Sequence, residues 1–214
     1  MNLRLSVTTL PMELNETVKR EEIIIHYVGP YVELLQGTLT TLDDTMIPES
    51  ITVLRDYTFQ NNENLTSVSL ENITEVGVSC FNYCAITELN LPALTIARTS
   101  AFAYNPFTSV VFPSLTSISS QMFQRCEQLT RADFPVATEI MSRAFYMCPM
   151  LDTLILRTNQ VVDLFGLQNF YQTKIETGEG RIYVPDELVD LYKSTQGWSA
   201  FANQIWPISE LEVE

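Results

Sequence analysis

Ile86-Thr-Glu-Leu-Asn-Leu-Pro-Ala-Leu-Thr-Ile-Ala-Arg-Thr-Ser-Ala-Phe102-Ala-Tyr-Asn105 is followed, after one proline, by Phe107-Thr-Ser-Val-Val-Phe-Pro-Ser-Leu-Thr-Ser-Ile-Ser-Ser-Gln-Met-Phe123-Gln-Arg-Cys126. The second stretch repeats the first position by position, and such self-similarity at a fixed period decides a fold before any single element does. Working outward, Phe59, Phe81, Phe102, Phe123 and Phe145 are spaced by 22, 21, 21 and 22 residues. Eight residues before them stand Ile51, Ile73, Leu94, Leu115 and Ala137, and five before them Leu54, Val76, Ala97, Ile118 and Ile140. Three residues after them stand Asn62, Cys84, Asn105, Cys126 and Cys148.

Each unit also predicts a strand. Leu65-Thr-Ser-Val68-Ser-Leu70 recurs as Ile86–Leu91, Phe107–Phe112, Leu129–Phe134 and Leu151–Leu156. The last two apolar positions of each are two apart and so share a strand face. Pro92, Pro113 and Pro135 follow three of these strands, where a residue without an N–H helps end the ladder. One such unit cannot bury its apolar face alone. Stacked at roughly 4.8 Å per parallel strand, five units form a block about 20–25 Å long with a shared core.

The pattern L-x-x-[VLA]-x-[LF]-P-x-x-L-x-x-I-x-x-x-A-F-x-x-C over residues 51–158 resembles the BspA-like leucine-rich repeats. The resemblance implies a leucine-rich-repeat β-solenoid with parallel strands and an irregular or short-helical convex side. It also implies that the slot of Cys84, Cys126 and Cys148, shared with Asn62 and Asn105, hydrogen-bonds backbone in the turn after each Phe. The stretch Arg181-Ile-Tyr-Val-Pro-Asp-Glu-Leu-Val-Asp-Leu-Tyr-Lys193, then Gly197-Trp-Ser-Ala-Phe-Ala-Asn-Gln-Ile205, looks like the C-terminal cap of that family. Short helices are expected there at about 186–194 and 199–205. With Leu154-Ile-Leu-Arg-Thr158, Gly178-Glu-Gly180 and Gly37-Thr-Leu-Thr-Thr-Leu-Asp-Asp-Thr45, this tail is similar to repeat proteins encoded in bacteriophages and prophages. The expected organisation is a β-rich N-terminal segment (1–33), serving to dock or to cap, the solenoid with its N-terminal capping coil (34–158), and a C-terminal cap with an acidic tail (159–214). Within the first part, Asn2–Thr9 alternates and Glu22–Val28 reads as a strand closed by Gly29-Pro30.

Composition narrows the function. The chain has 214 residues, is 46% hydrophobic and carries a net charge of −14. Lys and Arg number 12 and do not cluster, so the counterion release that drives nucleic-acid binding has no basis here. No apolar run approaches a membrane span, and the N-terminus lacks a basic start and an unbroken apolar stretch. Membrane insertion and general export are therefore not expected.

The residues that suggest chemistry have plainer readings. The repeat itself accounts for all four cysteines, Cys80 in a small core slot beside Phe81 and the other three in the slot after the Phe. A zinc site would want paired ligands around one centre. His26 is the sole histidine and lies in an apolar strand, without the nucleophile context of a triad. No glycine-rich phosphate loop and no convincing carboxylate pair occurs. No catalytic residue, metal or cofactor is expected. A binding surface is the better prospect: two residues past each Phe lie Asn61, Tyr83, Tyr104, Arg125 and Met147. Tyr and Arg are the types that anchor interfaces, so Tyr83, Tyr104 and Arg125 form the candidate partner-contact ridge, against the plainer reading of turn residues packed between coils. The expected role is a non-catalytic interaction module, preferentially a phage virion component on tail or capsid, alternatively a bacterial cell-surface adhesin. Its partners would be other virion proteins or a host-surface molecule, and homo-oligomers are left open.

Overall fold

The computed structural model describes residues 15–20, 23–28, 31–36 and 39–211, the first three stretches as backbone only. The alternation at 2–9, the turn at 29–30 and the last three residues of the acidic tail lie outside these residues. The described residues form a stack of coils with a first column of strands and, in all but the last two coils, a two-residue strand in a second. The first column contains Thr41–Asp43, Ser67–Ser69 and Glu88–Asn90, then Ser109–Val111, Arg131–Phe134, Thr153–Leu156, Arg181–Val184 and Ile205–Pro207. The second contains Val53–Leu54, Glu75–Val76 and Ile96–Ala97, then Ser117–Ile118, Glu139–Ile140 and Asp163–Leu164. All pairings within the two columns are parallel.

The interior follows from the repeat. Phe59, Phe81, Phe102, Phe123 and Phe145 are all buried and stack ring on ring with centroids 5.1, 5.8, 6.0 and 5.6 Å apart. A sixth rung, Phe170, lies 5.9 Å beyond Phe145. The spacing hides it, because the interval is 25 residues rather than 21 or 22. Parallel stacking likewise runs past residue 158. The strand Arg181–Val184 pairs with Thr153–Leu156, and Ile205–Pro207 pairs with Arg181–Val184.

Both ends are covered. At the start, the strands Asn15–Arg20, Ile23–Val28 and Tyr31–Gln36 form an antiparallel meander. Its last strand pairs in parallel with Val53–Leu54, so a β-rich segment covers what would be an open sheet edge. At the other end, a single turn at Asp186–Leu188 runs into the helix Val189–Ser194, and 3-10 turns span Trp198–Gln204. Trp198 is fully buried, 6.2 Å from the Phe170 ring and edge-on to Tyr192 at 5.2 Å. Its indole N–H donates to the Val162 carbonyl at 2.6 Å, and the Val162 N–H donates to the Tyr192 hydroxyl at 2.9 Å. The cap thus satisfies backbone groups that another coil would otherwise pair.

Candidate interaction surface

The turn around each Phe places the candidate ridge. The residues two before and two after every Phe have left-handed backbone: Tyr57 and Asn61, Ser79 and Tyr83, Ser100 and Tyr104, Gln121 and Arg125, Arg143 and Met147, Gln168 and Gln172. None of these is glycine, although the conformation costs an ordinary residue on the order of 1–2 kcal/mol. Hydrogen bonds between coils offset that cost. Alternating handedness turns every second N–H the same way, so Ser79, Phe81 and Tyr83 donate to the carbonyls of Thr99, Ala101 and Ala103 at 3.0, 2.9 and 3.1 Å. The amides between them close tight turns within the coil, as Asn82 does on Ser79 at 3.2 Å. The Phe drops into the core, and the residue two further on emerges at the surface.

The structure brings the three candidate residues together. The Tyr83 and Tyr104 rings stack with centroids 3.9 Å apart and planes 16° from parallel. The Arg125 guanidinium lies 5.9 Å from the Tyr104 centroid, within reach of a cation–π attraction. The Gln124 side-chain amide donates to the Tyr104 hydroxyl at 3.1 Å. The adjacent Tyr104 hydroxyl raises the pKa of Tyr83. Tyr83 is 48% exposed, far more than an internal packing residue. Stacking occupies the ring faces, so the ridge offers a partner ring edges, hydroxyls and a guanidinium.

A second cluster continues this surface, and the sequence analysis missed it. Tyr146 and Tyr171 stack at 5.1 Å, one position after their respective Phe, and the Arg143 guanidinium lies 5.5 Å from the Tyr146 centroid. Arg143 also donates to the Gln168 side-chain oxygen at 3.0 Å. The signal was present as a tyrosine in the same repeat position of two successive coils, but the 25-residue interval concealed the register. On the first strand column, Asp133 and Ile155 are buried rather than outward and open. Arg157 clasps the Asp133 carboxylate with two donors at 3.1 and 2.7 Å.

The cysteine slot is structural. Cys84, Cys126 and Cys148 each direct the thiol at the Phe carbonyl of the preceding coil, those of Phe59, Phe102 and Phe123, at 3.1, 3.4 and 3.0 Å. Asn105 does the same with its amide, at 2.7 Å from the Phe81 carbonyl. Burial pushes the Cys84 and Cys126 thiols up to about 12, and raises those of Cys80 and Cys148 as well. Such thiols are poor nucleophiles and poor ligands. Among the described residues, no three His, Cys, Asp or Glu side chains come together as a metal site. His26 lies on the middle strand of the antiparallel meander.

Comparison with known proteins agrees with this architecture. The fold is similar to a leucine-rich cell surface protein of Faecalibacterium prausnitzii, with TM-score 0.57 and 15% identity over 80% of this chain. The match covers 55% of that protein, so the chain spans about half its length. It is also similar to the leucine-rich-repeat protein of Treponema pallidum, with TM-score 0.53 and 17% identity over 85% of this chain and 97% of that one. No curated protein sequence matches the chain. The BspA type leucine rich repeat region matches in six copies, over residues 36–106 and 95–179. With that match covering more than half of its residues, and with the stacked Phe rungs to carry it, the chain belongs to the BspA-type leucine-rich-repeat family.

Proposed function

We propose that the chain is a non-catalytic protein-interaction module displayed at a surface, and that Tyr83, Tyr104 and Arg125 form its contact ridge. The observation that carries this reading is the stacked tyrosine pair on left-handed backbone, Tyr83 exposed and Tyr104 half-buried. The fold alone is served there by asparagine, methionine or glutamine in other coils, yet here it holds two aromatic rings and a cation. Residues of these types supply much of the energy at protein interfaces. The buried, hydrogen-bonded cysteines favour the same reading, since they use the thiols for packing.

For location, the reading favoured by the structural neighbours is the bacterial cell surface, because the Faecalibacterium protein of similar fold is a cell surface protein. The second reading is a virion component, and it rests on the phage-like sequence of the tail around 154–158 and 178–205. Mass spectrometry of separated cell-envelope and particle fractions distinguishes them, with recovery in envelope fragments expected for the first and in purified particles for the second. For the ridge, the test is a Tyr83→Ser/Tyr104→Ser double variant in a binding assay on whichever fraction holds the protein. Binding should fall at least about tenfold, in line with the loss of one or two interface anchors. Unchanged binding by a folded double variant removes the ridge from the interface.

A further inference from the structure

Two threonine columns run along the solenoid beside the strands. In the first, the hydroxyls of Thr66, Thr87 and Thr130 donate to the carbonyls of Thr40, Thr66 and Thr108 at 3.1, 3.3 and 2.9 Å. In the second, those of Thr74, Thr95 and Thr138 donate to Thr52, Thr74 and Thr116 at 3.2, 3.1 and 3.2 Å. The backbone N–H of each of these six residues donates to the same carbonyl. Both columns stop at the same place. Thr108 makes neither bond to Thr87, and Thr116 makes neither bond to Thr95, although the residues are present. The strand pairing stops there too, because Glu88–Asn90 has no partner in Ser109–Val111, nor Ile96–Ala97 in Ser117–Ile118.

The Phe side keeps its backbone bonds at this step. Ser100, Phe102 and Tyr104 still donate to Ser120, Met122 and Gln124 at 3.1, 3.2 and 2.8 Å. Elsewhere in the second column a backbone N–H reaches the previous coil, as Arg98 reaches Val76 at 2.9 Å and Met141 reaches Ile118 at 2.8 Å. Across the gap the Ser119 hydroxyl bonds the Ala97 carbonyl instead, and the Ser114 hydroxyl bonds that of Pro92. A cleft of about 330 Å³ opens between the lips, lined among others by Ile96, Arg98, Thr116 and Ser119.

The sequence also differs at this step. Ala85 donates its N–H to the Leu65 carbonyl at 3.2 Å, and the matching residue one coil on is Pro106, which has no N–H to give. Phe107 and Phe112 both press on the Phe102 ring, at 6.5 and 5.4 Å, where the preceding coil has Ile86 and Leu91. At this step two rings stand in place of two aliphatic side chains.

We infer that this seam is a hinge, about which residues 39–105 and 107–211 open and close as two stacks with the Phe102–Phe123 contact as its spine. The ridge crosses it: Tyr83 and Tyr104 belong to one stack and Arg125 to the other. The Tyr104 N–H bond to the Gln124 carbonyl lies on the closed side, so the ridge stays together while the strand sides part.

Dipolar EPR on the full chain tests the hinge. Spin labels at Thr87→Cys and Thr130→Cys straddle the seam, while labels at Thr40→Cys and Thr87→Cys are two coils apart within one stack. Both pairs would sit roughly 10 Å apart in an unbroken ladder. A longer and broader distribution for the straddling pair is expected, narrowing to that of the control in a Pro106→Ala/Phe107→Leu/Phe112→Leu background. Hydrogen exchange of the unlabelled wild-type chain gives a second reading. The amides of Thr108, Thr116 and Ser117 should exchange at least about tenfold faster than those of Thr87, Thr95, Thr130 and Thr138, as unpaired amides between protected neighbours do. Equal distributions, or equal protection on both sides of the gap, overturn the hinge.

Discussion

The phenylalanine column and the tyrosine ridge lie two residues apart in every coil, yet they obey different rules. The column has the same residue in six successive coils, buried and ring-stacked each time. The ridge positions hold Asn61, Tyr83, Tyr104, Arg125, Met147 and Gln172, all in the same left-handed conformation. One backbone geometry therefore tolerates six positions with five different side chains, so the geometry does not choose among them. The column is what the stack requires, and the ridge is where the sequence is free to address something else.

The largest effect should come from breaking the column. Phe102→Ala removes a ring in contact with Phe81, Phe107, Phe112 and Phe123 and should cost about 3–5 kcal/mol in denaturant unfolding. A variant that melts like the wild type contradicts the stacking scheme. The Tyr83→Ser/Tyr104→Ser pair, by contrast, should cost no more than about 1–2 kcal/mol, the worth of an aromatic pair beyond its buried area.

The slot after the Phe separates packing from chemistry. Asn105 donates to the carbonyls of Phe81, Phe102 and Ala103 and accepts from the Ile86 N–H. Asn105→Ala, which orphans these groups, should cost about 2–3 kcal/mol. Asn105→Cys should cost less than Asn105→Ala, since a cysteine already serves this slot in three other coils. If the two variants are equally unstable, the thiol bond to the Phe carbonyl contributes nothing.

Protonation gives smaller and more local effects. Burial holds the thiols protonated, with Cys84 and Cys126 up at about 12, so a thiol reagent at pH 8 should modify the chain only after denaturant is added. Rapid native modification of any of the four breaks that account. Tyr83 has a raised pKa because of the neighbouring Tyr104 hydroxyl, and the sign follows from linkage. The contribution is fully present below the ordinary tyrosine range and is lost as pH rises through the higher folded value. Ultraviolet titration should show late-ionising tyrosines in the wild type, Tyr83 and the buried Tyr192 among them, and Tyr83→Phe should remove one of them while the Tyr192 step remains.

Much of the fold was legible because the repeat concentrates its information in buried positions. Five Phe residues at 21 or 22 residue spacing and an apolar residue at fixed offsets leave few alternatives. Phe170 was not legible by spacing, because extra residues after Leu156 lengthen that interval. Tyr146 and Tyr171 were hidden by the same shift. The seam was concealed for a different reason. Pro106, Phe107 and Phe112 all satisfy the repeat pattern, so the gap shows only in the strand pairing and the missing threonine bonds. The burial of Asp133 likewise depends on a neighbour distant in sequence, Arg157. Tyr83, Tyr104 and Arg125 could be placed side by side from position alone, because a fixed repeat makes equal offsets adjacent in space.

The most direct test of the account compares Tyr83→Ser/Tyr104→Ser/Arg125→Ser with the wild type for both unfolding and attachment to the surface fraction that carries the protein. The account predicts a cooperative unfolding transition close to that of the wild type, together with loss of attachment. Wild-type attachment by the folded triple variant would contradict it.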